Sequence, residues 1–284
     1  MEIDEPSSSH EEAAPAEGAG RTGEDGSAPR RAGEVRMPFL EHLRELRIRL
    51  IRAVIALAAG VTLAYVFARQ LFGLLTAPLR AAASGNVLLI GTGIGEAFFT
   101  KIKVALVAGL FVASPVVFHE IWRFVAPGLY DNEKRLAKPF VLCATFFFVL
   151  GGYFCWRVVF PLGFTFFLRQ YRTIGVTPTI RISEYMTFAS KLLLAFALTF
   201  EMPIFALFLT RLGILDHAMM LKYFRYAVLG IFVVAAALTP PDMVSQFLLA
   251  IPLIGLYGLS ILVSYLFRAR KDAPVAAGDA SPAA

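Results

Sequence analysis

Residues 53–68 read Ala-Val-Ile-Ala-Leu-Ala-Ala-Gly-Val-Thr-Leu-Ala-Tyr-Val-Phe-Ala without a single charge, and five further apolar blocks follow. A helix of about 20 apolar residues matches a hydrocarbon layer of roughly 30 Å, and six such blocks exceed what one soluble core can absorb. Composition agrees: 57% of the chain is hydrophobic and 17% charged, where a soluble domain has about 45–50% and about 25%. The expected class is an all-α integral membrane protein with six transmembrane helices. Twenty-six Phe and nine Tyr also exclude a disordered or fibrous chain.

The first block extends from the uncharged run to near Phe72, and the second covers 104–124, with a kink at Ser114-Pro115 and a stop at Ala126-Pro127-Gly128. The third spans 140–160, and the fourth 192–210 with Glu201 at its centre. The fifth covers 226–238 and the sixth 245–267, joined by Thr239-Pro240-Pro241-Asp242, which has room only for a tight hairpin. A fifth helix starting at Tyr223 and ending before Pro240 and Pro241 reaches only about 24 Å, so the last pair is expected to sit shallow in a thinned bilayer. Ahead of the first block, Phe39, Leu40, Leu43, Leu46 and Leu50 recur at helical spacing among charged residues, an amphipathic helix for the membrane surface.

Three sections result: a solvated acidic tail over 1–36, a membrane domain over 37–268, and a short polar tail over 269–284. The tail lacks the apolar core of a secretory signal, and its acids argue against a transit peptide. It carries nine acids against four arginines, a balance of −5, whereas the remainder carries twelve acids against twenty-three bases, +11. A basic membrane body is suited to anionic lipid rather than nucleic acid. Lys and Arg favour, two to one, the side shared by both termini, which places the termini in the cytoplasm and the 73–103 and 161–190 loops outside. No internal repeat is visible, which weakens a transporter of inverted halves.

Chemistry-bearing motifs are few. Gly91-Thr92-Gly93-Ile94-Gly95 lacks the lysine of a nucleotide-phosphate loop, and His42, His119 and His217 are too scattered for a metal site. Cys143 and Cys155 are separated by about 18 Å along a helix, beyond disulfide reach, and read as packing residues. No cofactor, metal or catalytic residue is expected.

Three sets of polar residues stand out. Glu201 lies at mid-membrane depth, where a carboxylate costs roughly a few kcal/mol; it is expected to face a polar group on another membrane helix, with a structural pair inside the bundle as the alternative. Glu45 and Glu133 face the same compartment at interface depth, and each can accept a guanidinium with two hydrogen bonds. Their alternative is local pairing, Glu45 with Arg47 or Arg49 and Glu133 with Lys134 or Arg135, which is worth little at an exposed surface. Asp242 is placed to cap the last helix, while Thr239 and Gln246 put polar atoms near the outer end of two thin helices. A secondary transporter with Glu201 as coupling carboxylate is a rival reading, and an intramembrane enzyme lacks a paired nucleophile and base.

In order and spacing, His42-Leu43-Arg44-Glu45-Leu46-Arg47, Ser114-Pro115, Trp122-Arg123-Phe124-Val125-Ala126-Pro127-Gly128-Leu129-Tyr130, Glu133-Lys134-Arg135, Phe200-Glu201-Met202-Pro203, and Leu238-Thr239-Pro240-Pro241-Asp242 with Ser245-Gln246 and Ala250-Ile251-Pro252 resemble the TatC family. The family is the large membrane subunit of the twin-arginine protein translocase, and the match covers about residues 37–268. The resemblance implies six helices in a concave, cup-like arrangement in the bacterial inner membrane, driven by the proton motive force. It implies binding of signal peptides with two consecutive arginines through Glu45 and Glu133, with Arg47, Phe124 and Arg135 near the site. It also implies that Glu201, Thr239 and Gln246 meet the single-span partners TatA and TatB, beside other TatC copies, and that Pro115, Pro127, Pro240, Pro241 and Asp242 shape the frame.

Overall fold

The computed structural model describes residues 39–83, 88–125, 137–239 and 242–268. Both tails, the stop containing Pro127, the loop carrying Glu133 and Arg135, and the pair Pro240 and Pro241 lie outside the described residues.

The amphipathic stretch and the first span form one continuous helix, α1 (Phe39–Val66). It ends at Phe67, earlier than the expected Phe72, and turns into α2 (Ala68–Ala82). A short strand β1 (Leu88–Ile90) precedes α3 (Glu96–Val125). The third block is α4 (Ala137–Phe154), a π-helical turn at Cys155–Val159, and α5 (Phe160–Thr173). After β2 (Thr179–Arg181) the fourth block is divided into α6 (Ile182–Thr199) and α7 (Met202–Arg211). A small α8 (His217–Lys222), then α9 (Phe224–Leu238) and α10 (Met243–Arg268), complete the described chain.

Leu43–Val66, Glu96–Phe124, Pro139–Thr173, Ile182–Arg211 and Met243–Phe267 are each long and apolar enough to cross a membrane. The sixth expected span is α9, whose 15 residues reach about 22 Å at 1.5 Å per residue. The chain is thus a multi-pass helical membrane protein, with its thin helix where the sequence puts it. The end of the bundle where α1 starts is called here the near side, and the α1–α2 corner the far side.

Four prolines set the local shape. Pro115 withdraws the amide that would bond Phe111 O, and the Ser114 hydroxyl donates to that carbonyl at 2.8 Å instead. Pro78 does the same to Leu74 O inside α2, and the Trp156 indole fills the vacancy at 2.9 Å. Pro161, at the start of α5, follows the π turn, where the Phe160 amide reaches back five residues to Cys155 O. Pro203 removes the donor for Thr199 O, so α6 stops and α7 begins at Met202.

The stretches expected as far-side loops are largely ordered. Phe160, Phe164 and Leu168 are buried at steps of four along α5, which packs against α2. β1 and β2 pair in parallel through Leu88↔Thr179, Leu89↔Ile180 and Ile90↔Arg181, adding a small sheet that the all-helical expectation did not contain. Beside it, one carboxylate ties two helix starts together. Glu96 Oε2 accepts from the Thr92 and Gly93 amides at 2.6 and 3.1 Å, and Oε1 from the Ser183 amide of α6 at 2.8 Å. The Tyr185 hydroxyl also donates to Leu75 O of α2 at 2.6 Å.

The core below this cap joins Leu79, Val104, Phe160, Met186 and Phe196, all fully buried, from α2, α3, α5 and α6. Gly151 lets α4 approach α6: a Cβ there would lie 2.7 Å from Phe196 O. By contrast α1 packs sparsely, with 11% of its span buried against 50% for Ile182–Arg211. It leans on α3 through Gly60 and Gly109, where a Cβ on Gly60 would sit 2.6 Å from Gly109 O and one on Gly109 2.6 Å from the Val61 backbone.

Candidate functional site

α1 and α3 run in opposite senses, so the start of one meets the end of the other on the near side. Counting about 20 residues of hydrocarbon back from Val66 brings the membrane surface close to Arg47. One turn separates Glu45 from Arg49 on α1, and one turn separates Glu120 from Phe124 on α3. Arg49 Nη2 donates to Glu45 Oε1 at 2.6 Å, and Nη1 to Glu120 Oε2 at 3.3 Å. The side chains of Glu45, Arg49 and Glu120 retain only 20, 13 and 9% of their exposure, so this unit is screened less than a surface ion pair.

Two carboxylates share one guanidinium, which leaves one formal negative charge in the unit. Each contact uses a single oxygen, and Glu45 Oε2 and Arg49 Nε are buried without a hydrogen-bond partner among the described residues. Arg47 is exposed and Phe124 half-buried one turn beyond Glu120. Next to them Trp122 packs against Phe140 at 4.3 Å and edge-to-face against Phe208 at 5.0 Å between ring centres, joining the near ends of α3, α4 and α7. Glu45, Arg47 and Phe124 therefore occupy the near-side ends of α1 and α3. Glu133 and Arg135 fall outside the described residues.

Glu201 sits in the break between α6 and α7. Its amide bonds Leu198 O at 3.1 Å, and its carbonyl accepts from the Ile204 and Phe205 amides at 3.0 and 2.9 Å. The side chain is 2% exposed, and Oε1 has no hydrogen-bond partner among the described residues.

Among the described residues, one side-chain hydrogen bond crosses the thin pair, and its other polar residues bond locally. Gln246 Nε2 of α10 donates to Phe232 O of α9 at 2.9 Å, and the Thr239 hydroxyl bonds back to Ala235 O at 2.8 Å. Asp242 caps α10 as expected, accepting the Ser245 amide at 2.8 Å and the Ser245 hydroxyl as well. Cys143 is exposed, Cys155 is buried, and both are free. No cluster of three metal-ligating side chains occurs among the described residues.

Sequence reasoning gave Arg49 as one possible partner of Glu45, but passed over Glu120. The signal was available: Glu120 is a carboxylate inside the second apolar block, the criterion that singled out Glu201. It differs from Glu201 in lying near the end of its block, beside Arg123, rather than at the centre. Glu96 was missed because its partners are backbone amides, one of them 87 residues away.

A predominantly helical, multi-pass frame with a half-buried carboxylate–guanidinium–carboxylate unit at one end defines a polytopic helical membrane protein. The family model for "Sec-independent protein translocase protein (TatC)" matches residues 41–252. A Sec-independent protein translocase protein TatC of Desulforapulum autotrophicum is 47% identical over 240 residues, covering 84% of this chain and 88% of that one. A TatC of Campylobacter jejuni is 44% identical, covering 78% and 91%. A crystal structure titled twin arginine translocase receptor TatC superposes with a TM-score of 0.73 at 37% identity, covering 80% of this chain and 99% of that one. The chain belongs to the TatC family of Sec-independent protein translocase proteins. Its role is in protein transport, which decides against the secondary-transporter reading of Glu201.

Proposed function

We propose that this protein is the signal-peptide receptor of a twin-arginine translocase in a bacterial inner membrane, with its near side and both termini in the cytoplasm. It binds the paired arginines of signal peptides on folded passengers through Glu45 and Glu133, with Arg47, Phe124 and Arg135 around them. It assembles with single-span TatA and TatB and with further TatC copies, and transport draws on the proton motive force. The supporting observation is the half-buried Glu45 carboxylate at the near-side meeting of α1 and α3, one oxygen of which has no hydrogen-bond partner among the described residues. A guanidinium fits that acceptor with two bonds where an ammonium supplies only a point charge.

Glu201, Thr239 and Gln246 are the proposed contacts for TatA and TatB. Glu201 Oε1 is unengaged but buried beside a backbone break, so a partner helix reaches it only with a local shift there, and a hydrogen bond across membrane helices meets little competition from water. Residues 1–36, 37–268 and 269–284 are proposed as acidic tail, membrane body and C-terminal tail.

Glu45→Lys and Glu133→Lys are each expected to abolish crosslinking of a twin-arginine peptide in a chain that still folds, Glu45→Lys with a lowered unfolding temperature because Arg49 loses its 2.6 Å partner; crosslinking equal to the parent would remove the assignment. Glu201→Ala is expected to retain peptide binding and lose most of the co-purifying TatA or TatB. Unaltered co-purification and transport would eliminate that contact.

A further inference from the structure

The acceptor at Glu45 is already filled by an arginine of the same chain. Arg49 Nη2 lies 2.6 Å from Glu45 Oε1, in the chemistry that an incoming guanidinium would use. A peptide arginine seeking two bonds to Glu45 finds Oε1 taken and Oε2 unpaired but buried, so Arg49 has to move before both oxygens can be reached. Arg49 also has a second anchor, Glu120 Oε2 at 3.3 Å on the neighbouring helix, the longer of its two bonds. A guanidinium held between two carboxylates can give up one and keep its charge compensated at the other.

We propose that Arg49 is an internal competitor for the signal-peptide site, occupying Glu45 at rest and withdrawing onto Glu120 when a peptide arginine binds. This deepens the receptor reading and rests on Glu45 being the peptide's acceptor. The competitor is intramolecular and therefore present at a high effective concentration. It sets a threshold that a bidentate guanidinium passes and a lysine ammonium does not. Glu120 is then a positioning residue: it touches no peptide and supplies the place to which Arg49 retreats.

The arrangement makes opposite predictions for two neighbours in one ion-paired unit. Arg49→Gln frees Oε1 and is expected to tighten binding of an Arg-Arg signal peptide about tenfold, with a larger gain for a Lys-Lys peptide, so discrimination falls. Glu120→Gln leaves Arg49 without its second anchor, locks it on Glu45, and is expected to weaken Arg-Arg binding severalfold. In an Arg49→Gln background Glu120→Gln is expected to have no effect on binding, because nothing is left to retreat. A purely structural brace between α1 and α3 predicts the reverse for Arg49→Gln, which would then weaken binding, and additive losses in the double variant.

The test uses the full chain in lipid nanodiscs and fluorescently labelled Arg-Arg and Lys-Lys signal peptides, with binding followed by anisotropy. Arg49→Gln leaves Glu120 buried and unpaired; the Arg49→Gln/Glu120→Gln chain removes that charge as well and keeps the question open if the single variant fails to fold. Tighter Arg-Arg binding in either chain, with reduced discrimination against Lys-Lys, supports internal competition. Unchanged or weaker binding in a folded double variant overturns it. Glu45→Gln serves as the control: if it binds like the parent, the receptor site itself is misplaced, whereas loss of binding there with no gain at Arg49→Gln removes only the competitor.

Discussion

At the scale of single residues, some polar groups inside the apolar frame fill the vacancy that a proline leaves. Ser114 is 2% exposed and its hydroxyl bonds the carbonyl that Pro115 leaves free. Ser114→Ala is expected to cost about 1–3 kcal/mol, the usual penalty for a buried unsatisfied polar group, read as a lower unfolding temperature in detergent. Pro115→Ala in that background returns an amide to Phe111 O and is expected to recover most of the loss; a further loss would show that the kink itself is what stabilises. The Ser-Pro kink was legible in the sequence. The hydroxyl's duty was not, since it depends on which carbonyl the proline strands.

At the scale of elements, hydrophobic periodicity located every apolar block but not its true ends. Blocks one and three run on into α2 and α5, past the expected boundaries, because these two helices bury apolar faces against each other. The 15-residue α9 was legible because Pro240 and Pro241 cap its length in the chain itself. The parallel β1–β2 pair was not, as three-residue strands 91 positions apart leave no periodic mark. Glu96 holds that region by joining the starts of α3 and α6, so Glu96→Ala is expected to speed hydrogen exchange at the Thr92, Gly93 and Ser183 amides. Unchanged exchange at all three would mean the strands hold the cap alone. On the opposite face of the frame, α1 depends on one close crossing. Gly60→Leu is expected to cost about 1–3 kcal/mol of overpacking and to weaken the Arg49–Glu120 contact, seen as faster crosslinking loss between cysteines placed at 52 and 117.

At the scale of the whole molecule, the difficulty is how a body carrying +11 attracts a peptide marked by two positive charges. Long-range attraction cannot supply the answer, since the field of that body repels arginine and salt screens it beyond about 10 Å. On the proposed reading, recognition comes from carboxylates at contact distance, and Glu45 at the near side is shielded enough for geometry to count. Glu45 was legible because it stands among arginines on an amphipathic stripe. Its resident partner and the second carboxylate behind it emerge only when α1 and α3 are brought end to end.

The central claim is that Glu45 reads guanidinium geometry rather than positive charge. A photo-crosslinker at the exposed Leu46, next to Glu45 and leaving it intact, measures this directly with an Arg-Arg signal peptide and its Lys-Lys counterpart. Strong labelling by Arg-Arg, lost with Lys-Lys and lost with Arg-Arg in a Glu45→Gln chain, is the predicted result. Equal labelling by both peptides, or labelling that survives Glu45→Gln, would contradict it.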